Sequence, residues 1–341
     1  MDMAVNKTKR LFRSGGVRGF PALILICALL CLPFAAGAEA ASDLGSSPAA
    51  FREIWGYLSY GEEQFLVPGL PVSDIGYFGT TVNALGRLAG IPSRSRITGY
   101  SGRVHLVIAE IGNQALTHFC LDPSLPIRDA LVREIAAASE GYDGVQIDFE
   151  AVLPADGENF LAFLSALKES LGDRTLSVAI PARTRKIADA YDYKSLAAVC
   201  DRIIVMAYDE HWSGSSPGSI ASLEWCSRVS EYALKVIGKE KLVMGMPFYG
   251  RAWADINPAK AYRFSTLNNL ITGKQIPEIG RAQEIPFFEY QETVRVRVFF
   301  EDARSVYSRA EMYRGSSVRN VSFWKLGQED PDVWKYVTLL N

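Results

Sequence analysis

Between Tyr142 and Glu150 the chain reads YDGVQIDFE, with Val145, Ile147 and Phe149 alternating against Gln146, Asp148 and Glu150. In an extended strand alternate side chains share one face, spaced roughly 7 Å apart, so an amide and two carboxylates project together. Two neighbouring carboxylates in a partly desolvated site resist joint ionisation, and one tends to keep its proton. A carboxylic acid protonated near neutral pH is what a leaving-group oxygen needs. The same pair is also compatible with a structural role, satisfied by hydrogen bonds in a buried interior, and the pattern alone leaves both open.

Other side chains could join that chemistry. MAYDEHW places Tyr208 on one face with Met206, while Asp209 and Glu210 begin the following loop. Trp324 shares a face with Ser322 and Asn320, and an indole makes a floor for a sugar ring. Taken singly, Tyr208 and Trp324 are explained as well by ordinary packing. His105, His118 and His211 lack metal-ligand spacing; His211 could line the site or lie on a loop surface. Gly76, Gly79 and Gly86 form no phosphate-binding fingerprint, so neither metal nor cofactor is expected.

These residues need a frame. Strand-like runs begin at Glu53, Asp74, Val104, Gly144, Leu176, Arg202, Lys241 and Val321. Helical spacing follows several of them: Phe160, Phe163, Leu164 and Leu167 before Gly172; Trp225, Val229, Tyr232 and Val236 before Gly238; and Ile127, Leu131 and Ile135. Alternating strands and helices imply parallel strands with helical crossovers, and eight such units imply a closed (β/α)8 TIM barrel of the α/β class. Glu150 then ends strand four, at the carboxyl pole where such barrels carry their sites. The stretch of about 254–303 is too long for one crossover and contains hairpin-like alternation, PFFEYQETVRVRVFF. It reads as a small α+β insertion between strand seven and helix seven, with that helix near Tyr307 to Tyr313.

The 341 residues are 48% apolar and 22% charged, an ordinary globular balance that favours neither disorder nor a membrane bundle. Lys7, Lys9, Arg10, Arg13 and Arg18 precede an apolar run from Pro21 to Ala36 and a small-residue AGAEA stretch. That order is a secretory signal peptide over 1–38, followed by a linker over 39–50 and the barrel over 51–341. The run is short for a membrane span and contains Pro33, so no span is expected in the mature chain. Ile26 and Leu30, rather than small residues, precede Cys27 and Cys31, which argues against a lipid anchor. Cleavage would remove five basic residues, making the body more acidic than the −2 of the whole chain and giving it no electrostatic reason to seek nucleic acid. The expected destination is the medium, the periplasm or the cell envelope. Cys120, Cys200 and Cys226 would remain, read by default as buried thiols with room for one disulfide at most. Nothing here speaks to oligomeric state.

DGVQIDFE resembles the DGxDxDxE signature of glycoside hydrolase family 18, the chitinase-like barrels, through Asp143, Gly144, Asp148 and Glu150. MAYD at Met206 to Asp209, GMPFYGRAW at Gly245 to Trp253 and SFWKLGQEDP at Ser322 to Pro331 are similar to that family's segments on strands six, seven and eight, in the same order. The resemblance implies retention of configuration without an enzyme nucleophile, the 2-acetamido oxygen of the substrate attacking the anomeric carbon. It implies that Glu150 is the acid, that Asp148 orients the acetamido group and that Tyr208 bonds its carbonyl. Trp324 would lie under the sugar, with Gln146, Met206, Asp209, Tyr249 and Arg251 also against substrate. Gln146 departs from the middle aspartate of most chitinases, and VIAEIGN replaces their strand-three SxGG motif. Both departures resemble the bacterial subgroup of spore-cortex-lytic and germination N-acetylglucosaminidases, which implies a peptidoglycan-type glycan partner, though the peptidoglycan-binding repeats common there are missing. Chitin or chitooligosaccharide hydrolysis is the neighbouring expectation. A non-catalytic, lectin-like N-acetylglucosamine binder on the same barrel is the third, disfavoured by the presence of Glu150.

Overall fold

The computed structural model describes residues 47–254, 257–291 and 295–340, with backbone only for 257–260. The signal-peptide reading of 1–38 and most of the linker lie outside these residues. Eight parallel strands run Glu53–Ser59, Asp74–Val82, Arg103–Glu110, Gly144–Phe149, Thr175–Pro181, Arg202–Met206, Leu242–Pro247 and Asn320–Trp324. Each pairs with its sequence neighbour, and strand eight pairs back onto strand one through Val321↔Ile54 and Ser322↔Trp55, which closes the barrel. Covered inside and out, strand four has every residue buried, as parallel strands between two apolar layers require.

Helices cover the outside where the apolar spacing allows them. Gly157–Leu171 buries Phe160, Phe163, Leu164 and Leu167 and stops before Gly172, whose φ of 60° is open to glycine at little steric cost. Ile127–Ala138 buries Leu131, Val132 and Ile135, and Ala303–Gly315 begins at a capping box between Asp302 and Ser305. The helix Leu223–Val236 is turned from the expected face. It buries Cys226, Val229, Ser230 and Ala233, leaving Trp225 and Tyr232 half-buried, since small residues fit closer to the barrel wall. Gln114–Leu121 and Tyr193–Val199 are helices that the spacing did not reveal.

The first two crossovers differ from an ideal alternation. Among the described residues they hold only the 3-10 turns Glu63–Phe65 and Arg94–Arg96 and the two-residue strand Leu88–Ala89. Gly61, Gly69, Gly86, Gly90 and Gly99 all have positive φ there, and Pro68, Pro71 and Pro92 interrupt what remains, so no helix can propagate.

The insertion is a five-stranded antiparallel sheet, ordered Asn257–Tyr262, Gly250–Ala254, Arg295–Phe299, Ile285–Gln291 and Gly280–Ala282. The helix Phe264–Gly273 places Leu267 in a separate small core with Ala252, Phe288, Val298 and Phe300. The insertion itself starts at Gly250, just beyond strand seven and a few residues earlier than expected, so Arg251 belongs to its first strand. At the other margin Ala49–Phe51 pairs in parallel with Val337–Leu339, so the last two residues read as linker are tied to the body.

Candidate active site

Strand four ends at Phe149, and Glu150 is the residue just beyond it, its N–H donating to the Glu110 carbonyl of strand three at 2.9 Å. The alternation nevertheless carries across that boundary. Gln146, Asp148 and Glu150 line one cavity of about 240 Å³ at the carboxyl pole of the barrel, together with Met206, Tyr208, Asp209, Tyr249, Arg251 and Trp324. All nine side chains singled out from the sequence therefore meet in one place.

Their environments differ. Asp148 is 5% exposed and its Oδ1 has no hydrogen-bond partner among the described residues. Burial first, and the Glu150 charge second, push its carboxyl up to about 8. Glu150 stands open at the cavity mouth, yet partial desolvation and the neighbouring Asp209 also raise it above the usual carboxylate range. Gln146 is 1% exposed and accepts a hydrogen bond from the Tyr57 hydroxyl at 2.9 Å. Because Gln146 is neutral, Asp148 has one anionic neighbour on its strand rather than two. The Tyr208 phenol is lifted well above its ordinary value by burial and stands edge-on to Tyr249, 6.3 Å between ring centres.

Asp209 leaves strand six with φ of 59°, a left-handed conformation that short polar side chains tolerate better than most. The bend turns its carboxylate toward Arg251, which donates through Nε at 3.0 Å and through the terminal nitrogen at 2.8 and 2.9 Å, while the Tyr249 hydroxyl donates to the same Oδ1. Trp324, at the end of strand eight, packs against Tyr57 and Phe78 with ring centres 5.3 and 4.9 Å away. An aromatic wall thus faces the carboxylates.

Sequence reasoning missed Tyr57, Phe78, Ile111, Ala179, Ala261 and Gln328 in the lining. Tyr57 was findable, since Glu53, Trp55 and Tyr57 alternate on strand one as the acidic residues do on strand four. Ile111, 68% exposed, lies on a rim loop without period or motif. His211 lies outside this lining and its Nδ1 contacts the Ser216 carbonyl at 2.9 Å. His105 is buried against Asp74 at the opposite pole, and His118 pairs with Asp156. Among the described residues no three His, Cys, Asp or Glu side chains converge as metal ligands would. Cys120, Cys200 and Cys226 are free and buried.

Two neighbouring carboxyls that both resist ionisation, one hidden and one at the mouth, with an indole across from them, form an arrangement suited to acid-assisted cleavage of a sugar bond. Residues 128–329 match the profile described as glycosyl hydrolases family 18. The chain belongs to that family. Among its relatives, the putative sporulation-specific glycosylase YdhD of Bacillus subtilis is 32% identical over 206 residues, covering 55% of this chain and 48% of that protein. The cortical fragment-lytic enzyme of Bacillus anthracis is 29% identical over 252 residues, covering 67% and 58%. The chain thus spans about half to three-fifths of the length of these relatives. The crystal structure of the spore cortex-lytic enzyme SleL of Bacillus cereus superposes with a TM-score of 0.77 at 25% identity, covering 86% of this chain and 76% of that one. Within family 18 the matched segment takes in the carboxylates at strand four, the motifs of strands six and seven and the strand-eight motif as far as Glu329.

Proposed function

We propose that this family 18 chain is an exported, retaining glycosidase that hydrolyses β-linked N-acetylglucosamine in peptidoglycan-type glycan, with the substrate's own 2-acetamido oxygen as the nucleophile. The observation that carries the reading is Asp148, a buried carboxyl with one oxygen left without a partner, on the same inward face as Glu150. An unsatisfied buried acceptor is costly unless a ligand supplies the donor, and an acetamido N–H is a donor of suitable size.

In the reactive state the two carboxyls hold one proton between them. Glu150 carries it, and Asp148, relieved of its neighbour's charge, is the anion. The acetamido oxygen attacks the anomeric carbon as the bond to the leaving oxygen breaks and Glu150 delivers its proton there. Asp148 offsets the positive charge that spreads over the resulting oxazolinium ring, and the Tyr208 hydroxyl donates to the acetamido oxygen and holds it in line. Glu150, now anionic, takes a proton from water, which attacks the anomeric carbon from the face of the departed group as the bond to the acetamido oxygen breaks and the acetamido group is restored. Trp324 supports the ring throughout.

The relatives named for cortical fragments and spore cortex support a peptidoglycan substrate, and the basic and apolar order of residues 1–38 supports export. A Drosophila melanogaster relative named as a probable chitinase, 32% identical over 145 residues, keeps chitooligosaccharides as the second reading. Purified peptidoglycan and chitin should be digested side by side and the new reducing ends identified by mass spectrometry. N-acetylglucosamine ends are expected from peptidoglycan. Release from chitin alone would transfer the proposal to the second reading. Glu150→Gln is expected to lower the rate about 10²–10⁴-fold, the usual worth of a positioned acid; an unchanged rate would remove Glu150 from its role.

A further inference from the structure

What fixes Glu150 in place is its backbone. Its N–H is held by the Glu110 carbonyl, and the residues after it turn away from strand four toward the 3-10 turn Pro154–Asp156. The peptide groups on either side of Glu150 and Ala151 meet a single side chain from the loop after strand five. The Tyr191 hydroxyl donates to the Phe149 carbonyl at 2.7 Å and accepts from the Val152 N–H at 3.2 Å.

We propose that Tyr191 is a positioning residue for the acid, its hydroxyl bracing the two peptides on either side of Glu150 and Ala151 so that the carboxyl is presented at a fixed height over the sugar oxygen. The inference rests on the role of Glu150 proposed above. Tyr191 is 7% exposed, and its ring meets Phe160 edge-on at 6.1 Å, a contact that phenylalanine would keep. The hydroxyl is therefore the specific part, used once as donor and once as acceptor. Its own backbone is anchored, since the Tyr191 N–H donates to Asp189 Oδ1 at 2.9 Å and Arg183 holds Asp189 Oδ2 at 2.6 Å. Burial pushes the phenol up to about 12, so it remains a donor across any working pH.

A misplaced acid harms most the substrates that need it most. Tyr191→Phe is expected to lower kcat roughly 10-fold or more on a glycoside with a poor, sugar or alkyl, leaving group, with KM little changed. On the 4-nitrophenyl N-acetylglucosaminide, whose leaving group departs with little protonation, the loss in the first step should be about 3-fold or less. Single-turnover release of nitrophenol isolates that step. Equal losses on both substrates, or no loss, would overturn the assignment. If Tyr191→Phe does not fold, Asp189→Ala, which frees the Tyr191 backbone, should give the same selective loss in weaker form, and a proportional loss on both would likewise overturn it. A wild-type protein that cleaves neither glycoside would instead strike the proposed function itself.

Discussion

Asp148 shows at the scale of one residue how a site is held at the expense of stability. Its carboxyl is about 8 in the folded chain against an ordinary value of 3.8, so between these values the folded state binds a proton that the unfolded state has lost. The favourable contribution is complete below 3.8 and disappears as pH rises through about 8. Asp148→Asn keeps the shape without the charge. It is expected to be more stable than wild type above pH 8, by about 1–3 kcal/mol, with the gap closing toward acid, as thermal unfolding across pH would record. The same variant should lose most of its glycosidase rate. A gap that widens toward acid would contradict this account of Asp148.

At the scale of elements, the strands were the legible part. Val145, Ile147 and Phe149 announced strand four because a buried parallel strand needs apolar residues on the outer face whatever the inner face carries. Glu150 was placed one position too far inside the strand, a boundary that periodicity alone does not mark. Short helices such as Tyr193–Val199 escaped because they offer barely two turns of pattern. The face of Leu223–Val236 was misjudged because large residues were read as the buried ones, whereas the wall admits Ser230 and Ala233. The site was legible where polar or aromatic residues stood in recognisable motifs at strand ends, and hidden where an apolar strand residue such as Phe78 or Ala179 looked like ordinary core or where Gln328 and Ile111 lay on rim loops without period. Helix packing also permits a direct test: Phe163 is fully buried, 5.8 Å from the Phe149 ring, and Phe163→Ala should cost about 3–5 kcal/mol in denaturant unfolding. A cost below about 1 kcal/mol would mean that the helix does not clamp the back of strand four.

Across the whole molecule the two barrel poles divide the work. The amino pole carries an ionic layer around two buried carboxylates, in which Arg202 donates to Glu53 at 2.6 and 2.9 Å and Arg103 to Asp74 at 2.8 and 2.9 Å, with His105 stacked on Trp55 at 4.3 Å. Although burial pushes Glu53 up, the Arg202 hydrogen bonds and charge prevail and hold it at about 2. Its contribution is present above the ordinary 4.5 and is lost as pH falls toward 2. Arg202→Met would strand that carboxylate and should cost about 3 kcal/mol at neutral pH, less in acid, while kcat of the remaining folded fraction stays near wild type. A selective fall in kcat would show that the two poles are coupled.

The arginine that steadies Asp209 comes from the insertion rather than from the barrel. Anyone recombining rims among such scaffolds, by trimming 250–299 or grafting another module in its place, would discard a counter-ion together with a wall. An uncompensated anion would then confront Glu150 across the mouth, and the affinity of that carboxyl for its proton would drift upward even though every barrel strand had been left untouched.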